Sequence, residues 1–152
     1  MNLQTLNEQY PFTTEKNEAL KKAGFSENID LFKVVAYFVK HGDIETVKAF
    51  LDAGFNVNAA ESGDFGSSLL HNAIRYGQME VFTSLIDRGA NIDFVDAVGW
   101  TPLMEAIIDS KPEFGKVLVE KGADQNIANQ RGATAKMLAM KFRQDAFLTF
   151  LD

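Results

Sequence analysis

Two histidines, one Asp-Phe-Gly tripeptide and one pair of carboxylates are the residues whose types and spacing could carry chemistry. Asp64-Phe65-Gly66 has the order of the kinase segment whose aspartate holds magnesium. The chain has no glycine-rich phosphate loop, no Val-Ala-Ile-Lys and no His-Arg-Asp to accompany it, so catalysis does not follow. His41 and His71 are the only histidines, and cysteine is absent. That composition excludes a thiolate zinc site, a disulfide framework and a cysteine nucleophile. Glu105 and Asp109 stand one helical turn apart, on one face. An acid–base pair would need a cleft that drives the two pKa values apart, and solvated or partner-facing charge is the expectation here. No Gly-x-Ser-x-Gly elbow is present. The expectation is a chain that is not an enzyme and takes no metal or cofactor.

A different kind of chemistry is suggested by Trp100, the only tryptophan, which sits between Gly99 and Thr101-Pro102. Gly-x-Thr-Pro is surface turn chemistry, so a large apolar ring there is expected to meet a partner. The 152 residues are 46% hydrophobic and 24% charged, the make-up of a soluble globular chain able to bury a sizeable core. A net charge of −6 argues against phosphate backbones and anionic membranes and suits a basic protein partner. "MNLQTLNEQYPF" lacks a basic start followed by an apolar run, and no stretch approaches the roughly 20 apolar residues needed to span a bilayer. Cytoplasmic residence is the expectation.

The elements that position Trp100 come from a period in the chain. Gly66, Gly99 and Gly132 recur every 33 residues in "GSSLLHNAI", "GWTPLMEAI" and "GATAKMLAM". A second series, Gly54, Gly89 and Gly122 in "LDAGFNVN", "IDRGANID" and "VEKGADQN", keeps phase with the first except for two extra residues around "AAESGDFG". Ser68, Thr101 and Thr134 are placed to cap a helix, with Pro102 at a first helical position. Gly77 breaks that helix, and Ser110 and Arg143 occupy the matching place. Met79, Phe82, Leu85 and Ile86 then form the apolar stripe of a second helix ending at Gly89. Each unit reads as helix, turn, helix and protruding hairpin.

On these segments, above all "GWTPLMEAI" and "SLIDRGANIDFVDAVG", the chain resembles the ankyrin repeat family. The resemblance implies an all-α solenoid of stacked helix-turn-helix units with β-hairpin-like loops, forming one domain over residues 1–152. Its units are 32–65, 66–98 and 99–131, with a C-terminal capping unit at 132–152 and an N-terminal helical cap and lead-in at 1–31. The first unit has "LFKVVAYFV" in place of Thr-Pro-Leu-His, and the last has Lys136 where Leu70 and Leu103 sit. Both read as end units that must present a polar side to water. Within 1–31, "TTEKNEALKKAG" reads as a short helix ended by Gly24, with Ser26 expected to cap the next. Gly115, inside a helix, implies close packing. His71 falls on the histidine of Thr-Pro-Leu-His, where the resemblance implies a ring bonded to backbone between units. His41 precedes Gly42 at a helix C-terminus, a structural or surface position.

The resemblance also implies one contact surface, the hairpin tips together with the exposed side of each first helix. At the tips the candidates are Asp64, Phe65 and Ser67, then Val98 and Trp100, then Arg131. On the helices they are Arg75 and Tyr76, Ile108 and Asp109, and Phe142. The apolar members would form a continuous patch, and Asp64, Asp96, Glu105 and Asp109 an acidic rim flanked by Arg75 and Arg131. The expected function is a non-enzymatic protein–protein interaction module whose partner carries basic groups. One form is an inhibitor, such as an immunity protein neutralising a bacterial toxin. The alternative is a generic scaffold or adaptor, or a fragment of a larger assembly. Nucleic acid, membrane and small-molecule substrates are not expected.

Overall fold

A computed structural model describes residues 1–63 and 65–152; the candidate Asp64 lies outside the described residues. Two helices, α1 (Leu3–Gln9) and α2 (Thr14–Lys22), precede four helix pairs. The pairs are α3 (Leu31–Lys40) with α4 (Ile44–Asp52), α5 (Leu69–Arg75) with α6 (Met79–Asp87), α7 (Pro102–Ile108) with α8 (Pro112–Glu120), and α9 (Ala135–Lys141) with α10 (Asp145–Leu148). The described residues contain no β-strand, only an isolated bridge between Ala60 and Ser68. The loops are still hairpin-shaped. Glu61 N donates to Ser67 O at 3.0 Å, Asp96 N to Trp100 O at 2.9 Å and Asn129 N to Ala133 O at 3.0 Å.

Caps and turns explain why such short helices start and stop where they do. Ser68, Thr101 and Thr134 accept from the backbone N–H three residues on, as the sequence predicts. Asp30, not Ser26, caps α3, because its carboxylate reaches Phe32 N at 2.9 Å while Ser26 lies in the irregular lead-in. Helix α1, which no repeat landmark announces, is capped by Asn2. At the turn inside each pair, Gly42, Gly77, Ser110 and Arg143 all adopt the left-handed conformation, φ 68°, 70°, 55° and 54°. The next residue's N–H then reaches back to a helix carbonyl: Gln78 to Ala73 O at 2.9 Å, Lys111 to Ala106 O and Gln144 to Ala139 O at 2.8 Å.

The first helices of the pairs stack in a row, α3 on α5 on α7 on α9, with α4, α6, α8 and α10 behind them. Leu70, Ala73, Ile74, Leu103, Ala106 and Ile107 fill the seams and are buried. Phe82 meets Phe114 edge-to-face at 5.0 Å, joining α6 to α8. The Gly115 expectation has a concrete cause: a Cβ there would lie 2.5 Å from Cε1 of Phe147 on α10. At the front, Tyr10 stacks on Phe50 at 4.4 Å and Phe12 on Phe38 at 5.6 Å, so the N-terminal segment covers the apolar end of the first pair. The back is less polar than expected. Lys136 is exposed, but so are Met137 (55%) and Met140 (61%), whose counterparts Met104 and Ile107 are buried under a following helix pair.

Candidate functional site

The last two loop tips are each shaped by one side chain that folds the backbone around itself. The Asp96 carboxylate accepts from Val98 N at 3.0 Å and Trp100 N at 2.8 Å. Asn129 does the same one loop later, for Arg131 N at 2.9 Å and Ala133 N at 3.1 Å. The loops also touch each other: Ala97 N donates to Phe65 O at 2.9 Å, and a Cβ on Gly99 would lie 2.7 Å from Gln130 N. The tips therefore form a connected ridge.

His71 ties this ridge to the helices. Ser68 N, which can only donate, lies 3.3 Å from Nδ1, so Nδ1 is unprotonated and Nε2–H donates to Trp100 O at 3.2 Å. Burial pushes its pKa down to about 4, against the pull of Asp96 and of the Trp100 carbonyl. The ring is a neutral strut between two units, as the resemblance implies. Trp100 itself is half-buried, its ring packed against the core on one side and facing outward on the other.

Several candidates sit where a partner could reach them. Phe65 is 63% exposed, Tyr76 41% and Phe142 46%; Ile108, Arg75 and Arg131 are exposed and Val98 is half-buried. Tyr76, Asp109 and Phe142 end α5, α7 and α9 and so line up across the stack. Lys40 Nζ lies 5.2 Å over the Tyr76 ring and Lys141 Nζ 5.7 Å over the Phe142 ring.

Ser67 and the acidic rim stand elsewhere than expected. Ser67 is buried, and its Oγ accepts from Arg75 at 3.3 Å, so it supports Arg75 from beneath and presents no surface. Glu105 is buried and paired with Arg75, Nε to Oε1 2.8 Å. Burial, with the nearby Asp109 and Asp96 charges, raises its pKa against the opposing Arg75 charge and hydrogen bond. Asp96 is spent on its own loop. Of the described rim residues, Asp109 alone keeps partial exposure, with its Oδ2 buried and without a hydrogen-bond partner among the described residues. Glu105 and Asp109 form neither a solvated pair nor a cleft. No group of three or more His, Cys, Asp or Glu among the described residues could hold a metal, and no helix is long and apolar enough to cross a membrane.

Val98, Trp100, Arg131 and Phe142 converge on one groove of about 600 Å3, walled also by Ala133, Met137 and Lys141. Phe65, Tyr76, Ile108 and Asp109 lie outside its lining. Met137 was not foreseen, since its counterparts His71 and Met104 are core residues; only the position of α9 at the end of the row exposes it. A second hollow of about 350 Å3 lies between the N-terminal segment, at Tyr10, Phe12 and Lys16, and α4 of the first unit.

A stack of helix pairs with a ridge of looped tips is a repeat solenoid, and comparison with known families agrees. The family model described as ankyrin repeats (3 copies) matches residues 13–96, 31–129 and 70–151. The chain belongs to the ankyrin repeat family. It is 36% identical over 114 residues to an ankyrin repeat-containing protein of Treponema pallidum, covering 74% of this chain and 38% of that protein. It is 35% identical over 94 residues to protein phosphatase 1 regulatory subunit 27 of Mus musculus, covering 62% and 60%. With serine/threonine-protein kinase 12 of Arabidopsis thaliana it shares 33% over 110 residues, covering 72% and 24%. The chain thus spans less than two thirds of the length of each of these relatives. Arrays of this family generally mediate protein–protein interaction and are typically not enzymes.

Proposed function

We propose that this chain binds a partner protein through the groove between its last two loop tips and α9, with the exposed Tyr76 and Ile108 extending the contact. The observation that carries the reading is the gathering of Val98, Trp100, Met137 and Phe142 on one concave, solvent-open face. Apolar side chains concentrated at such a face mark an interaction site, and tryptophan is enriched among residues that dominate binding energy. Occlusion of the partner is one form of this function, as in an inhibitor or a toxin-neutralising immunity protein; the name of the phosphatase regulatory subunit supports regulation by binding. A scaffold or adaptor role uses the same surface.

The expectation of a basic partner rested on the net charge and on the acidic rim. Asp96 and Glu105 are buried, so two of the rim's four carboxylates offer a partner nothing.

Phe142→Ala is the direct test. The ring is exposed at a helix end, so the melting temperature should barely move, while affinity for a partner recovered by pull-down should fall by about 2 kcal/mol. Unchanged affinity would sink the groove as the contact site. Trp100→Ala is a poorer probe than its surface turn suggests, because the half-buried ring also packs on the core and its loss should lower stability as well. For the inhibitor form, co-expression with the product of a neighbouring gene should rescue growth. A harmless neighbour that never co-purifies counts against that form and leaves the scaffold role.

A further inference from the structure

The groove reverses the charge of the molecule that carries it. The chain has a net charge of −6, yet among the described residues the only ionisable ones lining the groove are Arg131 and Lys141. Both are exposed, and neither makes an ion pair among the described residues, whereas Arg75, Arg88 and Lys16 each hold a carboxylate. A third donor stands beside them. Asn129, 8% exposed, uses its Oδ1 for Arg131 N and Ala133 N, which turns its amide nitrogen to the other side. That nitrogen makes no hydrogen bond among the described residues, is not fully enclosed, and belongs to a residue that lines the groove. One loop earlier the same position is Asp96, an acceptor. The polar part of this wall is therefore rich in donors and the rest is apolar.

We infer that the groove receives a short acidic segment of the partner, in which Asp or Glu side chains flank large apolar ones. A carboxylate satisfies Arg131, Lys141 and the Asn129 amide together, with charge-assisted hydrogen bonds, while the apolar neighbours pack on Trp100, Met137 and Phe142. The chain's own negative charge repels an extended acidic surface, so the complementarity selects a short segment anchored by apolar contact rather than an acidic domain. This inference rests on the groove being the contact site.

The test uses the full chain against an unbiased display library of short linear peptides. Selected tryptophan-free peptides are then titrated against the emission of Trp100, the only tryptophan. Enriched sequences should combine Asp or Glu with Leu, Ile or Phe, and their affinity should fall as salt rises. R131E/K141E should weaken them at least about tenfold and shift the preference toward Lys-containing peptides. Enrichment of basic peptides, or of a single-stranded RNA oligonucleotide in a parallel titration, overturns the inference. So does binding of acidic peptides that ignores the charge reversal; if that binding still falls with Phe142→Ala, the groove stands and only its preference for acid is lost. Peptides indifferent to both changes, or no peptide that moves the Trp100 emission, overturn the inference and the groove together.

Discussion

Protonating His71 would break the acceptance of Ser68 N–H at Nδ1 and place a charge in a buried seam, which is why its pKa falls from 6.5 to about 4. Because the folded value lies below the unfolded one, the neutral ring's contribution is complete above pH 6.5 and is lost as pH falls toward 4. The shift corresponds to roughly 3 kcal/mol. Glu105 works in the opposite direction, since its raised pKa lets the folded chain hold a proton more readily. A comparison with His71→Gln isolates the histidine. In urea titrations the stability gap between the two proteins should be widest at neutral pH and narrow on acidification. A gap independent of pH would contradict a neutral buried ring. The other residue-scale lesson is that acidic side chains here do internal work: Asp96 builds a loop and Glu105 holds Arg75.

Helices of seven to nine residues are too short to be stable alone in water; α5 to α9 persist because each is closed by a left-handed residue and pressed against its neighbours, with side-chain caps added on α5, α7 and α9. Gly115 shows which of these forces prevails. Alanine is the better helix former by about 1 kcal/mol, so propensity alone predicts that Gly115→Ala stabilises α8. The Phe147 ring occupies the space the methyl group would need. Gly115→Ala should therefore lower stability by about 1–3 kcal/mol, measured by chemical denaturation, and Gly115→Ala combined with Phe147→Leu should lose less than the sum of the two. A stabilised Gly115→Ala protein would mean that α8 and α10 are farther apart than described.

In a stack where each unit touches only its neighbours, the ends decide how much apolar surface meets water. The front is sealed by Tyr10 and Phe12 lying on Phe50 and Phe38. The Lys16–Asp43 ion pair, at 2.8 Å, ties α2 to the turn before α4. Deleting residues 1–12 would uncover those rings. The expected result is a lower melting temperature, increased binding of a hydrophobic dye and loss of hydrogen-exchange protection first in α3 and α4, with α7 and α8 affected last. Uniform loss of protection along the chain would show that the units unfold as one body. The opposite end leaves Met137 and Met140 open, and the groove borrows Met137 for its wall.

The repeat, its caps and its turn positions were legible in the sequence because each is a local rule restated every 33 residues, and the strut role of His71 followed from the family resemblance. So were the aromatic residues Phe65 and Trp100 of the loop tips. Helix α1 was not, since it carries one buried residue, Leu6, and repeats no landmark. The sign of the groove was not legible either. Residue types along the chain counted Asp64, Asp96, Glu105 and Asp109 as a rim, but which charges face water depends on what stacks against them. The neighbouring loop and helix turned Asp96 and Glu105 inward, and the end of the helix row left Met137, Arg131 and Lys141 facing out. Burial is a property of pairs of elements, and only the tertiary structure decides it.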